Sequence, residues 1–189
     1  MRVGIPKELK DNEYRVAMTP AGVRELVSRD HRVVIERGAG EGSSFPDADY
    51  VRAGAEILPD ADALWGASEL ICKVKEPLPG EYHRLRPDLV LLTYLHLAAS
   101  AECTAALVGS GATAIGYETV QLADGSLPLL APMSEIAGRM APIVGGEHLQ
   151  RDAGGRGVLM SGVPGVAAAR ARHRSRSGCT PTSSRSTGT

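Results

Sequence analysis

The stretch LVLLTYLHLAAS, residues 89–100, carries the pattern that decides the fold. Its first part is a continuous apolar run, which predicts a strand over Leu89–Leu95 that is buried on both faces, as strands of parallel sheets are. His96 follows within this run, and Ser100 then offers an N-cap for a helix with Glu102 in its first turn. A buried strand that leads directly into a helix is typical of α/β proteins.

The rest of the chain alternates strand-like and helix-like segments in the same way. Strands are predicted at residues 2–5, 32–36, 55–58, 70–74 and 113–117, and Asp124-Gly125 predicts a tight turn between two more at 120–122 and 127–130. Helices are predicted from Thr19 with Pro20 in the first position, near 47–53, around Trp65 and from Ser134 toward Gln150. This alternation predicts a Rossmann-like (flavodoxin-like), mostly parallel sheet with helices on both faces.

Composition excludes several classes of protein. The 189 residues are 43% hydrophobic and 4% aromatic, which indicates a globular protein with an aliphatic core. No apolar run is long enough to span a membrane, and the start lacks the apolar core of a signal peptide, so we expect a cytoplasmic protein with no membrane partner. Three scattered cysteines, Cys72, Cys103 and Cys179, favour buried free thiols for the first two over disulfides or a metal site.

Charge is distributed unevenly along the chain. Five arginines and no acid lie from Val166 onward, which leaves 16 basic and 22 acidic residues, a net charge of -6, for the rest. An acidic body would not attract nucleic acid, so no nucleic-acid partner is expected for it.

Three cationic or titratable residues follow predicted strands. Arg15 could bind a carboxylate through two parallel hydrogen bonds, Lys75 could bind a carboxylate or polarise a carbonyl, and His96 can exchange protons near neutral pH. Taken singly, Arg15 and Lys75 are more often solvated surface residues, and His96 is as often a satisfied core histidine. Because carboxyl ends of parallel strands meet at one edge of a sheet, the three together predict a cationic pocket for a small carboxylate with a reactive carbonyl or amine.

Two glycine-rich stretches fall short of the dinucleotide-binding fingerprint. In ERGAGEGSS the third glycine is replaced by Ser43, and in GGRGVLM it is replaced by Met160. We therefore expect no nucleotide-binding glycine motif within the 189 residues.

Longer segments resemble the L-alanine dehydrogenase family, whose relatives include the α subunit of proton-translocating nicotinamide nucleotide transhydrogenase. The resemblance covers residues 1 to about 166 and rests on MRVGIPKE, NEYRVAMTPAGV, ERGAGEGSSFPDADY, KVKEPLP, TYLHLAAS, GYETV, LPLLAPMSEIAGRMA and GGRGVLMSGVPGV. The histidine of TYLH favours alanine dehydrogenase over the transhydrogenase.

The resemblance implies a reaction and a set of roles. L-alanine, NAD+ and water would give pyruvate, ammonia and NADH, in a homo-oligomer that is a hexamer in this family. Arg15 and Lys75 would bind the substrate, His96 would be the acid–base catalyst, and Tyr94 and Leu130 would line the substrate pocket. Ser134 would lie on the cofactor side, and a second catalytic aspartate would come from the cofactor domain.

The end of the chain departs from the family. After GVPGV the family continues into a strand and a G-x-G-x-x-G turn, whereas this chain reads AAARARHRSRSGCTPTSSRSTGT, which is typical of GC-rich DNA translated out of frame. We expect a substrate-binding domain at 1–130, a connecting helix and the start of the NAD-binding domain at 131–165, and a disordered, frameshifted basic tail at 166–189. A natural basic tail that binds nucleic acid or an acidic partner is the alternative.

Loss of the cofactor domain would leave the chain inactive and would expose apolar surface of the sheet. Two other hypotheses stay open at this stage: a carboxylate-binding module without catalysis, and a fragment of a transhydrogenase α subunit.

Overall fold

The computed structural model describes residues 1–166 and 168–169. It divides into two compact units, Met1–Pro132 and Met133–Thr189, which are described separately. The expected disorder of the basic tail concerns residues that, apart from 166, 168 and 169, lie outside the described part of the chain.

The first unit contains a single parallel sheet. Its strands are β1 (Arg2–Ile5), β2 (Arg32–Glu36), β3 (Glu56–Leu58), β4 (Leu70–Cys72), β5 (Val90–Thr93) and β6 (Thr113–Gly116). They lie in the order β3-β2-β1-β4-β5-β6, and every neighbouring pair is parallel. This is the strand order of a doubly wound Rossmann sheet, so the predicted fold class is confirmed.

Helices cover both faces of this sheet. They are α1 (Pro20–Ser28), α2 (Asp47–Arg52), α3 (Ala61–Ala67) and α4 (Ala101–Ser110). On one face, Val23 of α1 and Tyr50 of α2 pack with the inward residues of β1 and β2. On the other face, residues of α3 and α4 pack with β4 and β5, and Trp65 is the largest side chain buried there.

Capping residues fix where two of these helices begin. The Thr19 side chain accepts a hydrogen bond from the Gly22 amide, and Pro20 occupies the first helical position, as predicted. Ser100 accepts from the Cys103 amide at 3.1 Å at the start of α4. Both helix starts can therefore be explained by side chains that satisfy otherwise unpaired amides.

Two details of the prediction are wrong. Residues 120–122 and 127–130 form no strands: the Asp124-Gly125 turn exists, but the backbone hydrogen bonds there are those of the turn itself, from the Leu122 amide to the Ser126 carbonyl and from the Gly125 amide to the Leu122 carbonyl. Pro128 cannot donate the next bond of a ladder, and the hairpin ends there. The strand expected at Leu89–Leu95 is also shorter, and Val90 and Leu92 on one of its faces are only half-buried.

The second unit is dominated by one helix. Helix α5 (Ala131–Leu149) begins three residues before the predicted Ser134 and contains Pro142. The chain then turns at 150–155, where the Gly155 amide donates to the Gln150 carbonyl at 2.7 Å. A Cβ on Gly155 would lie 2.2 Å from the His148 carbonyl oxygen, so only glycine fits this turn.

The described residues contain no helix that is both long and apolar enough to cross a membrane. Within the same residues no group of three or more histidines, cysteines or acids is arranged to hold a metal ion. Cys72 and Cys103 are buried free thiols, as predicted, and burial raises the pKa of Cys72 to about 11.

Candidate active site

The topology defines where a site can form. The chain winds outward from β1 through β2 to β3 and then returns to β4 on the other side of β1. In open α/β sheets, ligands bind at such a reversal, beyond the carboxyl ends of the strands. The segments that follow β1, β4 and β5 carry Arg15, Lys75 and His96.

Arg15 is held by an acid two residues before it. Its Nε donates to Glu13 Oε1 at 2.7 Å and its Nη2 donates to Glu13 Oε2 at 2.6 Å. This two-point hydrogen bond lowers the pKa of Glu13 and raises that of Arg15, so both groups stay charged. Burial raises the pKa of Tyr94, and the charge of Arg15 opposes that rise.

Lys75 lies just beyond β4, beside β5. Its carbonyl oxygen accepts a hydrogen bond from Thr93 Oγ1 at 2.8 Å, which fixes the backbone that carries the lysine. The positive charge of Lys75 contributes to the lowered pKa of Glu13. Arg15 remains the group that binds Glu13 directly, through its two hydrogen bonds.

A second lysine near this position was missed from the sequence. Lys73 is 1% exposed, and its Nζ lies 2.8 Å from Glu81 Oε1 and 3.4 Å from Glu8 Oε2. Glu8 also accepts from the Val74 amide at 2.6 Å, so this buried triad ties the loop after β1 to the end of β4. Burial raises the pKa of Glu8, although the charge of Lys73 opposes the rise. The available signal was a lysine inside an apolar run, ICKV.

Tyr94 and His96 form a stacked pair at the end of β5. Their ring centroids lie 6.0 Å apart with the planes 11° from parallel, and Tyr117 packs edge-on against Tyr94 with the centroids 5.0 Å apart. The Tyr94 hydroxyl donates to the Leu129 carbonyl at 2.7 Å, and burial raises the pKa of Tyr94. The phenol therefore stays protonated, and its hydrogen bond to Leu129 holds the Tyr94 ring beside the imidazole.

His96 has a left-handed backbone, with φ 47° and ψ 39°. That conformation costs a residue other than glycine about 1–2 kcal/mol, so something must stabilise it. The Glu118 carboxylate accepts from the His96 amide at 2.7 Å and from the Leu95 amide at 3.0 Å. Glu118 was missed as a site residue, although it directly follows the strand predicted at 113–117, as the other candidates follow theirs.

The two remaining predicted residues are placed differently. Leu130 is half-buried in the turn before α5 and directly follows Leu129, whose carbonyl binds Tyr94. Ser134 is an exposed residue of α5 in the second unit. The structure therefore sets Arg15, Lys75 and His96 just beyond neighbouring strands, stacks Tyr94 on His96 and sets Leu130 one residue from a Tyr94 contact. The roles of these residues and of Ser134 stay predictions.

Two cavities flank this group. One of about 390 Å³ is formed by the loop after β1 and the turn after β2, and Arg15, Glu13 and Lys10 line it. The other, also about 390 Å³, is lined by His96, Glu118 and Ala114. The guanidinium and the imidazole thus border two different cavities of the first unit.

The glycine-rich stretch after β2 packs against the loop after β1. In the turn after β2, a Cβ on Gly42 would lie 2.6 Å from the Tyr14 carbonyl oxygen, so this glycine is needed for the packing of the chain on itself. Residues 109–114, GSGATA, fit the looser form of the fingerprint but run from a helix into a strand, the reverse of the required order. The prediction that ERGAGEGSS is a simple turn agrees with this packing.

Comparison with known proteins gives the same fold and a family. Residues 4–137 match the family model described as alanine dehydrogenase/PNT, N-terminal domain. The chain belongs to this family. The resemblance drawn from the sequence is therefore confirmed.

Individual relatives are similar over most of this chain. Alanine dehydrogenase of Mycolicibacterium smegmatis is 63% identical over 169 residues, which are 89% of this chain and 46% of that protein. The Bacillus subtilis alanine dehydrogenase is 55% identical over 166 residues, which are 88% of this chain and 43% of that protein. The chain spans less than half the length of these curated relatives.

Two solved structures, one of an L-alanine dehydrogenase and one of a transhydrogenase, match this chain to different extents. A structure of L-alanine dehydrogenase matches with a TM-score of 0.80 and 53% identity over 89% of this chain and 46% of that one. A transhydrogenase from Sinorhizobium meliloti matches with a TM-score of 0.58 and 36% identity over 62% of this chain and 34% of that one. The first unit is thus the N-terminal domain of this family, and the alanine dehydrogenase branch matches it better.

Proposed function

We propose that this chain supplies the substrate-binding half of an NAD-linked L-alanine dehydrogenase, which interconverts L-alanine and pyruvate with ammonia. The observation that carries the proposal is the position of Arg15, Lys75 and His96 just beyond β1, β4 and β5, neighbouring parallel strands whose carboxyl ends meet at one edge of the sheet. Relatives of 53–63% identity that bear the name alanine dehydrogenase support it.

Each residue has a role that its surroundings support. Arg15 binds the substrate carboxylate through its guanidinium, and Lys75 donates to the carbonyl oxygen of the keto acid. His96 accepts or returns a proton as ammonia adds to the carbonyl and water leaves. Tyr94 keeps the imidazole oriented by stacking, and Leu130 closes the pocket beside it.

Hydride transfer is the chemistry of the nicotinamide, which exchanges hydride with the substrate carbon. The 189 residues contain no G-x-G-x-x-G, the glycine pattern with which this fold class binds the pyrophosphate of a dinucleotide. We therefore propose that NAD serves the full-length family, with Ser134 on its side of the site. We expect this chain alone to bind substrate without turning it over.

The same proposal covers location and assembly. We propose a cytoplasmic protein that joins a homo-oligomer in its full-length form, a hexamer as the resemblance implies. We also keep the domain limits 1–130, 131–165 and 166–189 as a proposal, with the last segment read out of frame.

Calorimetry with the 189-residue protein tests the site. Pyruvate should bind, and Arg15→Ala should weaken its Kd roughly 10- to 100-fold, because charged hydrogen bonds contribute about 1.5–3 kcal/mol. Arg24→Ala, which changes an exposed arginine of α1, is the matched control and should leave the Kd unchanged.

Two further results would decide between the hypotheses. Acetate lacks the keto carbonyl of pyruvate, so it should bind at least 10-fold more weakly than pyruvate. Equal affinities would mean that the site recognises only a carboxylate, as a carboxylate-binding module would. Oxidation of NADH by the 189-residue protein with pyruvate and ammonia would overturn the expectation that it has no turnover.

A further inference from the structure

Two successive amides converge on one carboxylate at the end of β5. The Leu95 amide lies 3.0 Å from Oε1 and 3.3 Å from Oε2 of Glu118, and the His96 amide lies 2.7 Å from Oε1. Neighbouring amides of an extended chain point in opposite directions. They can point to the same anion only when the backbone bends into a concave nest, for which one residue adopts a left-handed conformation.

His96 is the residue that bends. Its φ of 47° is the left-handed value, and the turn it opens is closed by a hydrogen bond from the Ala99 amide to the His96 carbonyl at 2.8 Å. Among residues other than glycine, asparagine, aspartate and histidine adopt this conformation several-fold more often than the rest, so His96 suits the turn. Glu118 binds the amide that leads into the turn, and it thereby fixes the peptide plane from which the His96 backbone departs.

The fold delivers Glu118 to this place. Strand β6 pairs with β5 so that Gly116 lies opposite Thr93, and the chain then makes a tight turn at Tyr117–Thr119. The turn directs the Glu118 side chain back toward β5. Gly116 leaves the space it needs, since a Cβ there would lie 3.1 Å from Glu118 Oε2.

The bent backbone fixes where the imidazole goes. Because the peptide plane before His96 determines where its Cα lies, the bound Glu118 carboxylate helps to set the point from which the ring projects against Tyr94, where it is observed. Glu118 itself touches the amides and not the substrate pocket's cations, so it acts through His96.

We propose that Glu118 is a positioning residue, whose carboxylate binds the Leu95 and His96 amides and thereby holds the His96 imidazole in its working orientation. This role rests on the proposed function, since it assigns Glu118 to the same keto-acid site. It adds a carboxylate that acts on the catalytic histidine through the backbone.

Nuclear magnetic resonance on the 189-residue protein tests the clamp directly. We expect the Leu95 and His96 amides to exchange slowly with solvent, and Glu118→Ala to raise their exchange rates at least 10-fold. Glu118→Gln retains one carbonyl oxygen that can accept both bonds, so it should restore most of the protection. Glu102→Ala, an exposed acid in the first turn of α4, is the matched control and should leave both amides unchanged.

Pyruvate binding provides the second readout. Glu118→Ala should weaken pyruvate binding by about 5- to 10-fold in Kd. It should also abolish the change in chemical shift that pyruvate induces in the His96 ring proton. Glu118→Gln should weaken binding less than 3-fold. Far-ultraviolet circular dichroism checks that each variant is folded. A folded Glu118→Ala protein with protected amides and an unchanged Kd would overturn the clamp and leave the proposed function standing.

The two proposals can fail separately. If wild-type protein does not bind pyruvate, the proposed function fails, while the exchange rates still report whether Glu118 holds the His96 backbone. If Glu118→Ala and Glu118→Gln lose protection equally, the carboxylate charge and not hydrogen bonding is responsible, and the clamp as stated is wrong.

Discussion

Replacing Lys73 by methionine should strongly destabilise the first unit. The ammonium is buried between two carboxylates whose side chains are 3% and 2% exposed, those of Glu8 and Glu81. Methionine matches the length of the lysine stem but carries no charge. The change therefore removes the cation and leaves two acids buried without it.

The distances give the size of the effect. At an effective dielectric constant of about 20, the attraction of Lys73 is about 6 kcal/mol to Glu81 and about 5 kcal/mol to Glu8. Desolvation of the three ions offsets most of this, and removal of one partner of a buried pair typically costs about 3–5 kcal/mol. We expect a loss of that size, a large share of the roughly 5–15 kcal/mol by which domains are stable.

The loss should depend on pH. Burial raises the pKa of Glu8 above 4.5, so the folded chain binds this proton more tightly than the unfolded chain does. Its contribution to stability is present below the unfolded pKa and is lost as the pH rises through the folded pKa. Without Lys73 the pKa of Glu8 rises further, because the largest opposing charge is gone. The penalty of Lys73→Met should therefore be smaller at pH 5 than at pH 8.

Urea unfolding followed by circular dichroism at the two pH values measures this. Lys10→Met is the control, because Lys10 pairs with Glu76 at a position where the lysine side chain is 41% exposed, and such pairs contribute less than about 1 kcal/mol. A loss below about 1 kcal/mol for Lys73→Met, equal at both pH values, would refute the reasoning and show that water solvates the triad.

Other substitutions test the packing of the first unit. Gly4→Ala would place a Cβ 2.1 Å from Ser68 Oγ and should cost about 1–3 kcal/mol of unfolding free energy. Gly66→Ala in α3 meets no atom within 4 Å and should raise the unfolding free energy by about 0.5–1 kcal/mol. Equal melting temperatures for the two variants would contradict this packing. Tyr50→Phe removes the buried hydroxyl that donates to the Met18 carbonyl at 2.9 Å, and a drop of about 0.5–1.5 kcal/mol in denaturant unfolding is expected, with no drop if the carbonyl finds another donor.

Local signals determined most of the fold. Strands β1 and β2 have the predicted limits, since their apolar runs are bounded by polar residues, and the helices that start after Thr19 and Ser100 begin at the predicted caps. The hairpin at 120–130 failed for a physical reason. A favourable two-residue turn does not make strands unless the flanking residues can continue the ladder, and Pro128 interrupts it.

The candidate site residues could be predicted from their positions just after strands, because the carboxyl ends of parallel strands meet at one edge of a sheet. That rule selected Arg15, Lys75 and His96, each just beyond a strand. It could not show that Arg15 is already bound by Glu13, or that Arg15 and His96 line two different cavities. Those features depend on side-chain directions in irregular loops, where no periodicity constrains them.

The acids that hold the site together escaped prediction because each acts on a residue far away in the chain. Glu8 contacts the end of β4, more than 60 residues later, and Glu118 binds an amide 22 residues earlier. In the sequence, an acid that pairs with a buried lysine or a bent backbone cannot be distinguished from a solvated surface acid. What separates the two is the desolvation that makes an unpaired partner costly, and that cost exists only once the sheet has brought the partners together. Substitution of Glu8 should therefore disturb the Val74 amide, and substitution of Glu118 should disturb the His96 amide, because each acid binds that amide.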